Sequence, residues 1–176
     1  MPRTTGETDG AGGRPAPPDF DSYVRTQWES WMRFAYIVTG NRHDAEDAVQ
    51  DALVGIYPRW RRVSSHGDPD AYIRRSIVNA NITRWRRTRK TTPYPDLDPA
   101  TRTDGDATDA FADAALLAEL LRGLQPRQRA IVALRYLEDR SYADIATLCN
   151  CTDAAARSVV RHALNALRDA VDKEQP

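Results

Sequence analysis

The chain has 176 residues, 41% of them hydrophobic and 28% charged, and its 25 basic and 25 acidic side chains cancel. Such a composition fits one folded domain or two small ones and excludes a chain that is wholly disordered. No apolar run approaches the roughly 20 residues that a bilayer-spanning helix needs, so no membrane insertion is expected.

Residues 1–19, rich in Gly, Pro, Thr and Asp, lack the apolar core of a secretory signal and read as a disordered leader; a cytoplasmic location is expected. Val24, Trp28, Trp31, Ala35 and Val38 then recur at helical spacing, and Thr39-Gly40 supplies a stop. A second helix is predicted over 41–60, with Ala45, Val49, Leu53, Ile56 and Trp60 on one face. Asn41 can cap it, and Asp44, Glu46 and Asp47 lie where the helix dipole favours negative charge. Residues 63–69, Val-Ser-Ser-His-Gly-Asp-Pro, read as a loop.

A third helix is predicted over 70–90 with two apolar stripes, Ile73, Ile77 and Ala80, then Val78, Ile82 and Trp85. A continuous helix touching different partners and a helix broken near 79–81 both account for that pattern. Residues 91–108, rich in Pro, Thr and Asp, read as a flexible acidic linker. Beyond it, Leu116, Leu117, Leu120, Leu121 and Leu124 form an apolar face, and Pro126 suits the first position of the next helix, which runs to Leu137. Residues 138–140 form a turn; Ser141 caps a short helix to Cys149, and Thr152 caps a last helix to about 171, leaving a tail of 172–176. The fold class is all-α: two small helical domains, 20–90 and 109–171, joined by a flexible linker.

Zero net charge hides a strong asymmetry. Residues 59–90 hold ten basic side chains against Asp68 and Asp70, whereas 96–113 hold six Asp against Arg102. Local basic density of this kind, with Trp60 and Trp85 among the arginines, suits a polyanion partner. The short helix to Cys149, a turn at Asn150-Cys151 and the longer helix after Thr152 have the proportions of a helix-turn-helix, and Asn150 tolerates the left-handed conformation such a turn requires. At 100° per residue, Ala156, Val159, Val160, Ala163, Leu164 and Leu167 share one side of the last helix. Arg157, Ser158, Arg161, His162, Asn165 and Arg168 share the other, as a helix laid in a major groove needs.

Catalysis finds no footing: there is no P-loop, His-Glu-x-x-His, Gly-x-Ser-x-Gly or dinucleotide-binding turn, and neither a metal nor another cofactor is expected. Cys149 and Cys151 alone cannot close a zinc site and read as one packed and one near-surface thiol.

Two segments carry a family resemblance. Asp44-Ala-Glu-Asp-Ala-Val-Gln-Asp51 is one; Leu124-Gln-Pro-Arg-Gln-Arg129, Leu134-Arg-Tyr-Leu137 and Ser141-Tyr-Ala-Asp-Ile-Ala146, in that order, make up the other. Both resemble hallmarks of extracytoplasmic-function sigma factors, group 4 of the sigma-70 family. Thr39-Gly40, Trp60 and Asp70-Ala-Tyr-Ile-Arg-Arg75 are similar to its actinobacterial sigma-E-like branch. The resemblance implies a non-enzymatic initiation factor with a sigma-2 domain over 20–90 and a sigma-4 domain over 109–171.

It further implies docking on core RNA polymerase, at the β′ clamp helices and β flap, with Asp44, Glu46, Asp47, Gln50 and Asp51 facing the clamp. Ser65, His66, Arg74, Arg75, Asn79, Thr83, Arg84, Arg86 and Arg87 would recognise and melt the −10 element of promoter DNA. Thr152, Arg157, Ser158, Arg161 and His162 would read the −35 element. An anti-sigma factor is a further partner that the resemblance allows. Ala154-Ala155-Ala156 stands where the family commonly has Gly-Thr-Val, and Asn150 where Gly is usual. The alternative is a helix-turn-helix regulator that binds DNA without polymerase; it leaves the acidic helix and the separate basic helix without a role.

Overall fold

Asp19 opens the first helix by accepting a hydrogen bond from the Ser22 amide at 3.1 Å, which satisfies one of the donors a helix start leaves unpaired. The computed structural model describes residues 19–91 and 109–174, and the described chain is helices and short turns. The helices are α1 (Phe20–Thr39), α2 (Arg42–Ile56), α3 (Trp60–His66), α4 (Pro69–Thr91), α5 (Asp109–Leu120), α6 (Pro126–Tyr136), α7 (Tyr142–Cys149) and α8 (Asp153–Glu174). The leader up to residue 18 and the linker over 92–108 lie outside the described residues.

Local chemistry sets most boundaries. Gly40 ends α1 at φ 86°, a left-handed conformation that costs a glycine little, and its amide bonds back to the Tyr36 carbonyl at 2.7 Å. Asn41 caps α2 by accepting from the Asp44 amide at 2.8 Å. The helix expected over 41–60 breaks instead at Pro58, which lacks a donor and disfavours helix in the residue before it. The chain passes through a 3-10 turn, Tyr57–Arg59, into α3. The expected loop at 63–69 shrinks accordingly: Val63 to His66 are helical and Gly67-Asp68 alone separates α3 from α4.

α4 is one unbroken helix, which resolves its two apolar stripes. Ile73, Ile77 and Val78 are buried as it passes α1, α2, α6 and α7 in turn. Buried Asn81 donates to the Val38 carbonyl at 2.9 Å, tying the middle of α4 to the end of α1. α5 departs from the expected leucine face. Ala114, Ala118 and Leu121 are buried, whereas Leu116 and Leu120 are 63% and 53% exposed. Ala114 and Ala118, small residues four apart, let α5 lie close on α1, with Leu121 buried just past its end, while Leu116 and Leu120 turn outward. α8 runs past 171 to Glu174.

The two helical blocks do not stand apart. α5 and α6 lie on α1, α6 and α7 lie on α4, and one continuous apolar core joins Trp31, Phe34 and Ile77 with Leu121, Ile131 and Leu134. Between the blocks sits a charged cluster. Arg74 Nε meets Asp70 at 2.9 Å, and its Nη2 meets Glu138 of the second block at 2.9 Å and Ser30 at 2.9 Å. Arg140, also of the second block, pairs with Asp70, to which the Trp31 indole N–H donates at 2.9 Å. Burial pushes the Glu138 carboxyl above its ordinary range, and Asp70 adds to the rise; Arg74 and Arg140 oppose it.

Candidate nucleic-acid interface

The outer surface of α2 is acidic, with Asp47, Gln50 and Asp51 exposed along one row. Val54 and Tyr57 continue it, 74% and 62% exposed, an apolar end that composition alone did not single out. Their signal was register: Val54 follows Gln50 and Asp51 at four and three residues. Glu46 is half-buried and holds Arg42 at 2.9 Å. Asp44 is placed differently from its expected role on the polymerase-facing surface. It is buried, accepts from the Asn41 side chain at 2.6 Å and pairs with Arg84 across to α4. A first-turn carboxylate beside a cap is held by its own helix start.

On α4, Arg75, Asn79, Thr83 and Arg87 recur at four-residue steps and are all exposed, with Arg86 beside them. Short hydrogen-bonding side chains thus lie in the middle of the row and cations toward its ends, an arrangement that can hold a phosphate backbone and present Asn79 and Thr83 to bases. His66 at the end of α3 is exposed and Ser65 half-buried. Two arginines expected here lie elsewhere. Arg74 is buried in the cluster between the blocks, its guanidinium also 5.1 Å from the centre of the Phe34 ring, and Arg84 is engaged by Asp44. Both point to partners on the helices packed against α4, which their own position in sequence does not disclose.

The helix-turn-helix is built as its caps predict. Ser141 accepts from the Asp144 amide at 3.1 Å while the Asp144 carboxylate accepts from the Ser141 hydroxyl at 2.6 Å. Asn150 adopts the left-handed conformation, φ 50° and ψ 59°. Thr152 caps α8 by accepting from the Ala155 amide at 3.1 Å. Arg127 of α6, which stands in the segment 124–129 but had no role assigned to it, donates to the Cys149 and Asn150 carbonyls at 3.0 and 2.7 Å and so fixes the turn. Ala156, Val160 and Ala163 are buried; Thr152, Arg157, Arg161 and His162 are exposed and Ser158 is half-buried. Leu164, placed on the packing side by periodicity, is partly exposed. Buried Cys149 has its thiol pushed up to about 12, mainly by desolvation, with Cys151 adding and Arg127 opposing.

Residues 30–91 match sigma-70 region 2, and residues 114–167 match sigma-70 region 4. The chain is 34% identical over 154 residues to the RNA polymerase sigma-E factor of Streptomyces avermitilis, covering 88% of this chain and 86% of that one. It is 29% identical over 180 residues to the ECF RNA polymerase sigma factor SigE of Mycolicibacterium smegmatis, covering 98% and 69%. The chain belongs to the extracytoplasmic-function sigma factor family. Among solved structures, this sigma factor shares its fold with the sigma factor RpoE of Bartonella quintana in complex with the anti-sigma factor NepR. The TM-score is 0.71 at 22% identity, over 89% of this chain and 99% of that one. The Mycobacterium tuberculosis sigma factor SigJ gives 0.61 at 27% identity, over 84% and 53%.

In this sigma factor the acidic α2 and basic α4 surfaces therefore fall in region 2, and the helix-turn-helix in region 4. It serves as an alternative sigma factor in transcription initiation; a polymerase-independent regulator is not favoured. No helix among the described residues is long and apolar enough to cross a membrane.

Proposed function

We propose that this sigma factor works in the cytoplasm, without chemistry of its own, through three surfaces of its described helices. The row Asp47, Gln50, Asp51, Val54 and Tyr57 on α2 docks on the β′ clamp helices of core polymerase. The row Arg75, Asn79, Thr83, Arg86 and Arg87 on α4, with Ser65 and His66 at the end of α3, engages and melts the −10 element. Arg157, Ser158, Arg161 and His162 on α8, with Thr152 at its start, read the −35 element as duplex. Residues 20–90 act as one unit and 109–171 as the other, the second also meeting the β flap.

The observation that carries this reading is the exposed row on α4, where asparagine and threonine are set among arginines beside an acidic neighbouring helix. A repressor has no use for such a row, since duplex reading is complete on α8 alone. Asn79 and Thr83 suit extruded bases, whose unstacking costs a few kcal/mol that pocket hydrogen bonds must offset.

The packed arrangement adds a requirement. The −10 and −35 elements lie about 25 base pairs apart, roughly 85 Å along B-form DNA. A closed body of this many residues is about 40 Å across by the usual scaling. The blocks therefore separate when both elements are engaged, and the cluster of Asp70, Arg74, Glu138 and Arg140 is released. Band shifts with the free chain and with holoenzyme test the proposal. Promoter duplex is expected to shift stably only with core polymerase, and tight, specific shifting by the free chain alone would favour the regulator instead.

A further inference from the structure

Tyr142 is the first residue of α7, the helix before the recognition helix, and is half-buried. The Arg157 guanidinium carbon lies 4.3 Å from the centre of its ring, and that of Arg135, from the last turn of α6, lies 5.3 Å from the same centre. Both fall within the roughly 6 Å over which a ring's negative face attracts a cation.

Three features hold this arrangement in place. The reciprocal Ser141–Asp144 cap fixes where α7 begins, and hence where the ring stands. Left-handed Asn150, with Arg127 bonded to the Cys149 and Asn150 carbonyls, sets the angle at which α8 leaves α7. Arg135 is itself tethered through Nη1 to the Arg140 carbonyl at 3.1 Å, closing the α6 side.

We propose that Tyr142 is a positioning residue for promoter reading: its ring holds the exposed Arg157 side chain so that the guanidinium is ordered before duplex arrives. An arginine free in solvent loses most of its rotamer freedom on contacting DNA, and one already held by a ring loses less. Contact through the ring face leaves guanidinium N–H donors available for a base edge or a phosphate. The inference rests on the reading of α8 as the −35 reader and adds to it a residue outside that helix.

The test uses the full chain in holoenzyme. The readout is the ratio of transcription from a promoter with its −35 element intact to that from the same promoter with the element scrambled. An exposed cation–π contact is worth about 1 kcal/mol, so Tyr142→Leu should lower that ratio about fivefold and Tyr142→Phe should keep it within about twofold. Arg157→Ala should lower the ratio on its own, and Tyr142→Leu should add nothing on the Arg157→Ala background.

Independent, additive losses, or equal losses from Phe and Leu, would overturn the positioning role and leave the reading of α8 standing. So would a ratio that rises in Tyr142→Leu, which would mean the ring withholds Arg157 from DNA. No change in Arg157→Ala would overturn both. If Tyr142→Leu fails to fold, the Arg157 side-chain resonances of the free chain decide. An upfield ring-current shift in wild type and Tyr142→Phe that vanishes in Tyr142→Met supports the proposal, and its absence in wild type refutes it.

Discussion

Removing the Glu138 carboxylate should loosen the two blocks from each other. In Glu138→Ala, Arg74 keeps Asp70 and Ser30 but loses the only partner contributed directly to it by the second block among the described residues. The Arg74 side chain is 3% exposed, so water cannot replace the lost carboxylate while the blocks stay packed; Glu138, at 19%, is slightly more accessible. Breaking a buried pair by removing one partner usually costs about 3–5 kcal/mol. With Asp70 still neutralising the guanidinium and burial already disfavouring the Glu138 carboxylate, about 1–2 kcal/mol is the expected cost here. At 1.4 kcal/mol per decade, that is roughly a 5-fold to 30-fold shift from closed to open.

The cost falls on contacts between blocks, so it acts on opening before it acts on either block's own fold. Small-angle scattering of the free chain should give a larger radius of gyration for Glu138→Ala than for wild type. Apparent affinity for core polymerase should rise, because less of the binding energy is spent on opening. A lower melting temperature with unchanged radius and unchanged core affinity would instead assign the cluster to the stability of one block and not to the closure between them.

Other outcomes follow from the same contacts. Asn79→Ala should slow promoter opening, read by permanganate reactivity of the −10 strand, while core affinity stays within about twofold; equal loss of both would remove Asn79 from the base-binding row. Because burial raises the Glu138 carboxyl, the folded state takes up its proton at a higher pH than the unfolded chain does. The Glu138 contribution to stability should therefore grow as pH falls through the raised value and level off below its ordinary 4.5. Denaturation midpoints of wild type and Glu138→Gln at pH 7 and pH 5 check the sign: wild type should gain relative to the variant at the lower pH. Cys149, with its thiol pushed up to about 12, should resist alkylation at neutral pH until the chain unfolds, whereas half-buried Cys151 reacts first; mass spectrometry of partly labelled protein reads the order.

What the sequence made legible was local. Gly40, Asn41, Ser141, Asn150 and Thr152 each act within four residues of where they stand, and each ends or begins a helix as its chemistry dictates. The recognition helix could be read for the same reason, since one face of a long amphipathic helix suffices to define the other. Pro58 was a readable break that the apolar period across 41–60 overrode.

Other features needed partners distant in sequence. Arg140 meets Asp70 across 70 residues, and no pattern near either announces the other. Arg74 therefore looked like one more cation in a basic block, and Asp44 like one more acid on a docking face. On α5 the leucines carried the stronger apolar signal, yet close approach to α1 selected the alanines.

Reconstituted run-off transcription on genomic fragments, with purified core enzyme and mapped start sites, shows whether this chain directs core polymerase to promoters. Transcripts should begin at discrete positions only when the chain is added, and should weaken when Gln50 and Asp51 are replaced together by Ala and Arg. Core enzyme that gives no new start site on any fragment in the presence of the chain would rule out promoter direction by it.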